Sequence, residues 1–114
     1  MTSAAETGQA PEDVLVALAD PTRREVLAII VREGSASSTS LAASLPVTRQ
    51  AVAKHLAVLE HAGLVRPHRV GREVRYEADL QPLKRTRQWM DALADVWERR
   101  LSAIKDLAEG SSTP

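Results

Sequence analysis

The chain has 114 residues, with 44% apolar residues, only 3% aromatic ones, no Cys and a formal net charge of zero. This length fits one domain with an aliphatic core, and the lack of Cys excludes disulfides, thiolate metal ligands and cysteine redox sensing. The longest apolar run, residues 26–31, is far shorter than the ~20 residues that span a bilayer. Because the start of the chain also lacks the pattern of a signal peptide, we expect a cytoplasmic protein without membrane contact.

The neutral total charge conceals an uneven distribution. The first twenty residues carry four acids and no base, and residues 79–114 balance at six of each sign. Residues 48–78 carry six Arg or Lys against three Glu. A local positive excess of this kind is where a polyanion such as nucleic acid docks.

Polar ends enclose one predicted domain. Residues 1–11 and 110–114 are mostly small or polar and bury too little apolar surface to fold. We therefore predict disordered tails there and a single domain over residues 12–109. Within it, apolar residues mostly follow helical spacing and alternate only near residues 64–78, so the predicted class is mainly α with a small β-hairpin.

Two helices are predicted in the first part of the domain. The first, Glu12–Ala19, has three apolar residues on one side: Val14, Leu15 and Leu18. Asp20 is a good N-cap and Pro21 suits the first helical position, so a second helix begins there and ends at Gly34. Four apolar residues of this second helix are predicted to be buried: Val26, Leu27, Ile30 and Val31.

A short third helix follows a predicted loop at residues 35–38. Ser37 or Ser38 can cap this helix, and Pro46 prevents its continuation because proline lacks the backbone N–H. Three residues form its apolar side: Leu41, Ala42 and Leu45.

The fourth predicted helix has two contrasting faces. Thr48 caps its start and Gly63 ends it. One arc is apolar: Val52, Leu56, Leu59 and Ala62. The opposite arc is small and polar: Arg49, Gln50, Ala53, Lys54 and Ala57. Small residues let the helix backbone approach a groove, and the longer polar side chains reach base edges or phosphates, so this order predicts a helix-turn-helix.

A basic hairpin is predicted after the fourth helix. Residues 64–70 and 72–78 are its strands, the second with strict period-2 alternation. Gly71-Arg72 suits a two-residue primed turn, because Gly adopts the positive φ that the turn needs. Pro67 indicates an exposed edge strand. Four arginines supply the charge of this wing: Arg66, Arg69, Arg72 and Arg75.

The last predicted helix covers about Leu80–Ala108 and carries one apolar stripe over five turns. A single stripe of this length exceeds what the small core can cover, which favours a partner helix. The stripe residues are Met90, Leu93, Trp97, Leu101, Ile104 and Ala108.

These features together resemble the ArsR-type winged helix-turn-helix repressors. The specific segments are Leu18–Arg24 (LADPTRR), Val52–Leu56 (VAKHL) with Ala62–Val65 (AGLV), and Gly71-Arg72 followed by Tyr76. The likeness extends over residues 15–107 and is greatest for the branch without metal-binding cysteines. It implies a winged-helix fold with a long C-terminal dimerisation helix, a homodimer joined through the first and last helices, and repression at a near-palindromic operator, often the protein's own.

Nine residues are predicted to contact double-stranded DNA. Those on the two short helices are Ser38, Thr39, Thr48, Arg49, Gln50, Lys54 and His55, and those on the wing are Arg69 and Arg72. Arg49 and Gln50 lie where this motif reads bases, Lys54 suits a phosphate, and Arg72 at the tip suits the minor groove.

Several of these nine residues have a second interpretation. Ser38 and Thr39 contact phosphate or serve only as helix caps, and Thr48 is first of all a cap. His55 lies within the apolar arc, so it is either a half-buried residue tethered by a hydrogen bond or a phosphate contact. A solvated face and hairpin remain the alternative for the charged residues as a group.

The predicted dimer interface combines the apolar stripe with residues that the resemblance implies. Trp89 and Trp97 suit an interface, since aromatic residues anchor such contacts. The predicted interface residues are Leu15, Leu18, Trp89, Met90, Leu93, Trp97, Leu101 and Ile104.

No pattern of catalytic, cofactor or metal-binding residues is present. There is no Gly-rich phosphate loop and no nucleophile paired with a base. His55, His61 and His68 do not have metal-ligand spacing. Residues 39–43, where family metal sensors carry Cys, have none, and residues 79–114 contain no His. We predict a regulator that is not an enzyme, needs no cofactor and does not sense metal through cysteines, with no small-molecule effector assigned. The alternative is a protein-interaction adaptor that does not bind DNA.

Overall fold

The computed structural model describes residues 11–112, which form five helices and three short strands. In chain order these are α1 (Glu12–Leu18), α2 (Pro21–Glu33), β1 (Ala36–Ser37), α3 (Ser38–Ser44), α4 (Arg49–His61), β2 (Val65–Val70), β3 (Glu73–Ala78) and α5 (Gln81–Ser112). The fold comprises two compact units, one over residues 11–85 and one that begins at Thr86 within α5. None of the described helices is both long and apolar enough to cross a membrane.

Polar caps begin three of the helices, as predicted. The carboxylate of Asp20 accepts a hydrogen bond from the backbone N–H of Arg23 at 3.0 Å, with Pro21 at the first helical position. The Thr48 hydroxyl accepts from the backbone N–H of Ala51 at 3.0 Å. Ser37, rather than Ser38, caps α3. These bonds satisfy backbone donors that the first turn of a helix leaves without a partner.

The wing is a hairpin within a three-stranded antiparallel sheet of order β1-β3-β2. Val70 pairs with Glu73 across a two-residue loop, and Gly71 adopts φ 63°, as the predicted primed turn requires. Pro67 lies on β2, an edge strand, which confirms its predicted position.

The predicted loop at residues 35–38 is wrong in one respect. Ala36 and Ser37 form β1 and pair with Tyr76 and Arg75 of β3. A two-residue strand has no periodicity of its own to detect, and it exists only because the hairpin folds back beside it.

An aliphatic core holds the unit of residues 11–85 together. Its fully buried large residues are Ile30, Leu41, Leu56, Leu59, Leu64, Val26, Val52 and Val65. The predicted burial of Val31 is wrong, because its exposed fraction is 48% whereas that of Ile29 is 8%. Since α2 packs against α1, α4, β1 and β3, its buried arc is turned toward Ile29. Val31 instead lines an apolar surface depression with Leu27, Leu80 and Leu83.

The last helix is longer than predicted. It continues through Gly110 to Ser112, so residues 110–112 of the predicted disordered tail are helical. Gly110 does not adopt the positive φ seen at Gly34, where α2 ends, and a glycine with helical φ only weakens a helix. Residues 1–10 and 113–114, which complete the two predicted tails, lie outside the described residues.

Candidate nucleic-acid interface

The two faces of α4 have the environments that the sequence predicts. Val52, Leu56 and Leu59 are buried in the core at 0%, 2% and 0% exposure. The opposite arc is exposed along its length: Arg49, Gln50, Ala53, Lys54 and Ala57. This helix therefore presents long polar side chains and small residues to solvent, while the core fixes its orientation.

Arg49 connects the helix-turn-helix across its turn. Its Nη2 donates a hydrogen bond of 2.8 Å to the Oγ1 of Thr39, ten residues earlier at the start of α3. Thr39 and Arg49, two of the predicted contact residues, therefore lie together. A guanidinium has five N–H donors, so one bond to Thr39 orients the side chain and leaves donors for another ligand.

The start of α3 lies beside this arginine. Ser38 is half-buried and Thr39 is exposed in the first turn, whereas the capping bonds of α3 join Ser37 and Ser40. Capping therefore does not account for Ser38 or Thr39, and contact with phosphate stays a prediction for both.

The wing arginines divide into two groups. Arg66, Arg69 and Arg72 are exposed. Arg75, predicted as part of the wing charge, is instead anchored within the fold: its Nε donates to Ser35 Oγ at 2.9 Å, its Nη2 to the Ser35 carbonyl at 3.0 Å and its Nη1 to Glu73 at 3.0 Å. Because β3 is the central strand beside β1, this side chain reaches the loop after α2. Arg75 therefore supports the wing.

His55 is half-buried and has a hydrogen-bond partner within the fold. The Nη1 of Arg23 lies 3.3 Å from the Nδ1 of His55, as the tethered alternative for this residue requires. The same guanidinium donates to the carbonyls of Ala17 at 2.8 Å and Val16 at 3.3 Å. The sequence had placed Arg23 only within the LADPTRR segment, which was the one signal pointing to it.

Asp20 lies beside Arg23 at the start of α2. The hydrogen bond from the Arg23 backbone N–H lowers the pKa of the Asp20 carboxyl, and the charges of His55 and Arg23 act in the same direction. The carboxylate form is therefore favoured where α2 begins, as expected at a helix N-terminus.

The predicted dimer residues leave a long apolar surface uncovered. In α5, Met90, Leu93, Trp97, Leu101 and Ile104 are 41–63% exposed, and Trp89 is half-buried. In α1, Leu15 and Leu18 are half-buried. Exposed apolar stripes of this size commonly mark protein–protein contacts.

The described residues contain no cluster of His, Asp or Glu able to hold a metal ion. His61 lies 3.5 Å from Asp13, and His68 lies 4.0 Å from Glu77. Together with the Arg23–His55 contact, these pairs distribute the three histidines to separate places.

A short helix, a turn, a second helix with an exposed polar face and a basic hairpin define a winged helix-turn-helix DNA-binding protein. Residues 18–68 match the family described as Helix-turn-helix domain.

Known proteins carry the same organisation over nearly the whole chain. The HTH-type transcriptional regulator Rv2034 of Mycobacterium tuberculosis is 35% identical over 109 residues, which cover 94% of this chain and 98% of that protein. The transcriptional repressor SdpR of Bacillus subtilis is 27% identical over 68% of this chain and 86% of its own. The solved structure of an ArsR-like transcriptional regulator from Rhodococcus sp. RHA1 has 42% identity and a TM-score of 0.79, and the match covers 95% of this chain and 97% of that one. The chain belongs to the ArsR-type helix-turn-helix transcriptional regulators, which bind DNA and are not enzymes.

Proposed function

We propose that this protein is a homodimeric repressor that binds a near-palindromic operator, including one upstream of its own gene. Family membership supports DNA binding and transcriptional regulation, and the Bacillus relative is named a repressor. The observation that carries the proposal is the exposed outer face of α4, with Arg49 held by Thr39 at its N-terminal end.

Base recognition is assigned to the N-terminal part of α4. Arg49 and Gln50 are exposed in its first turn, the part of a recognition helix that meets base edges in the major groove. Arginine pairs with guanine and glutamine with adenine through two parallel hydrogen bonds. Lys54, one turn further along, pairs with phosphate.

Phosphate contacts hold this helix in register. The hydroxyls of Ser38, Thr39 and Thr48 are at the starts of α3 and α4, and such groups fix a protein on the duplex without reading sequence. On the wing, Arg72 at the hairpin tip enters or flanks the minor groove, with Arg69 on the adjacent phosphate. The accessible part of His55 also lies within the range of this helix and is kept as a phosphate contact.

Dimerisation supplies the second recognition helix. The apolar stripe of α5 is covered by the same stripe of a second copy, because apolar surface of this extent is stabilised by removal from water. Two recognition helices then enter successive major grooves about 34–36 Å apart, which requires two half-sites in a near-palindrome. With no Cys in the chain, release from DNA does not depend on metal binding by cysteines.

Footprinting of the DNA upstream of the gene tests this function. The purified full chain is titrated against that duplex and against a shuffled duplex of equal length and composition, at a fixed salt concentration, because affinity for DNA depends steeply on salt. We expect a protected region with two half-sites separated by one helical turn. Equal affinity for both duplexes, or no binding to either, would contradict the proposal and favour the adaptor hypothesis.

A further inference from the structure

The guanidinium of Arg23 joins three helices of the unit formed by residues 11–85. Arg23 itself belongs to α2, and its Nε and Nη2 bind the carbonyls of Ala17 and Val16 at the end of α1. Its Nη1 lies 3.3 Å from the Nδ1 of His55, 32 residues later in α4. No other printed hydrogen bond among the described side chains connects α2 to the helix that carries the predicted base readers.

The chemistry of this contact specifies the state of the histidine ring. Arginine has only donors and remains charged in proteins. Nδ1 of His55 must therefore be the acceptor, so it carries no proton. A neutral imidazole protonated on only one nitrogen then has its hydrogen on Nε2.

We infer that Arg23 is a positioning residue for DNA recognition, which anchors α4 to the end of α1 by donating to Nδ1 of His55. This inference rests on the proposed function, because it assigns a role in presenting α4 to DNA. His55 lies one residue after Lys54 and about one and a half turns after Arg49, so a shift of the helix at this point moves all the predicted contact residues.

The neighbouring arginine offers a matched control. Arg24 also donates to a carbonyl at the end of α1, that of Leu18 at 2.6 Å, and it is exposed. It has no hydrogen bond to α4. Replacing Arg24 therefore removes a comparable charge and a comparable cap of α1 while it leaves the contact with His55 in place.

The first experiment measures the ring nitrogens of His55 by ¹⁵N NMR in the full chain without DNA, at about pH 8, where an ordinary imidazole is neutral. We expect the wild type to hold the tautomer with its proton on Nε2. Arg23→Ala should give a mixture of both tautomers, and Arg24→Ala should leave the ring signals unchanged. A wild-type ring with its proton on Nδ1, or an unchanged spectrum in Arg23→Ala, would overturn the inference.

The second experiment measures affinity for the footprinted operator and for the shuffled duplex. Arg23→Ala should weaken operator binding by about tenfold, the size expected when one hydrogen bond to a charged group is lost, with a smaller loss on shuffled DNA. Arg24→Ala should stay within about twofold. Equal losses in the two variants would show that Arg23 only caps α1.

A pair of histidine variants keeps the test valid if Arg23→Ala does not fold. His55→Asn places an amide oxygen near the position of Nδ1 and still accepts from Arg23, whereas His55→Phe keeps a ring without an acceptor. Operator affinity should be retained by the first and reduced by the second, and equal affinities would contradict the inference. If the wild type binds no DNA, the proposed function and the positioning role both fail, while the ring spectrum still decides whether Arg23 holds His55.

Discussion

Arginine side chains of the same formal charge have different roles in this protein, and their hydrogen-bond partners distinguish them. Arg49 keeps most of its donors for a ligand while Thr39 holds one of them. Arg75 is bound to Ser35 and Glu73, and Arg23 spans three helices. Arg72 remains exposed at the wing tip. Their contributions should therefore separate in measurements that distinguish specificity, salt dependence and stability.

Replacing a base reader should reduce discrimination more than overall affinity. For Arg49→Ala or Gln50→Ala, we expect operator binding to fall by about 1–3 kcal/mol relative to shuffled DNA, because paired hydrogen bonds to a base carry that much discrimination. Competition gel shifts measure the ratio. Gln88→Ala, an exposed glutamine of α5, is the matched control and should change neither affinity. Losses of equal size on the two duplexes would remove both residues from the base-reading set.

The wing tip should act mainly through charge. Arg72→Ala is expected to weaken binding to every sequence and to reduce the slope of log affinity against log salt by about one, because one phosphate contact and its released counterion are lost. Titrations over a series of salt concentrations measure that slope. Arg75→Gln should lower stability but leave the slope unchanged, because its donors are engaged within the fold. An unaltered slope in Arg72→Ala would exclude the tip from the contacts.

The helices of this protein begin at well-formed caps, and one of them starts the recognition helix. Thr48 accepts from Ala51 at 3.0 Å and directly precedes Arg49. The fixed start of α4 thus sets both the stability of the helix and the position of its first reading residue. At the other end of the same unit, the positive φ of Gly71 closes the wing.

Removing the cap of the recognition helix should have a measurable cost. Thr48→Ala is expected to lower the free energy of unfolding by about 1 kcal/mol, since the first turn loses a bonded backbone donor. Urea unfolding followed by circular dichroism provides the value. Thr48→Ser retains the hydroxyl and should stay close to the wild type; if Ala and Ser variants are equally stable, the cap contributes nothing.

The whole molecule leaves its largest apolar side chains in α5 exposed. Trp97 is 55% exposed and Leu101 63%, and the guanidinium of Arg100 lies 5.8 Å from the centre of the Trp97 ring. The residues of the stripe recur every three or four positions along the helix. Such a stripe on a helix that continues to Ser112 is explained by the proposed pairing of two copies.

A charge within this stripe should dissociate the dimer. For Leu93→Glu or Trp97→Glu, we expect a monomer in analytical ultracentrifugation, because dimerisation would bury an unpaired carboxylate. Ala92→Glu introduces the same charge on the opposite, exposed face of the helix and should remain dimeric. A dimer that persists in the two stripe variants would mean that the interface lies elsewhere.

Local patterns in the sequence were sufficient for much of the fold and of the candidate site. The alternation of buried and exposed residues in α4, the caps at Asp20 and Thr48, and the turn at Gly71 all depend on neighbours within a few positions. They follow from helix geometry, backbone N–H groups without partners and the conformational freedom of glycine. Periodicity alone therefore predicted which side of α4 faces solvent.

Contacts between distant residues required the folded chain. The short strand at Ala36, the burial of Ile29 in place of Val31, the anchoring of Arg75 by Ser35 and the contact of Arg23 with His55 have no local pattern that announces them. Arg75 and Ser35 are 40 positions apart, and Arg23 and His55 are 32 apart. A charged residue in a sequence has the same composition and spacing whether it binds DNA or another part of the chain. Which of these it does depends on what the packing of the helices and the sheet brings within hydrogen-bond distance.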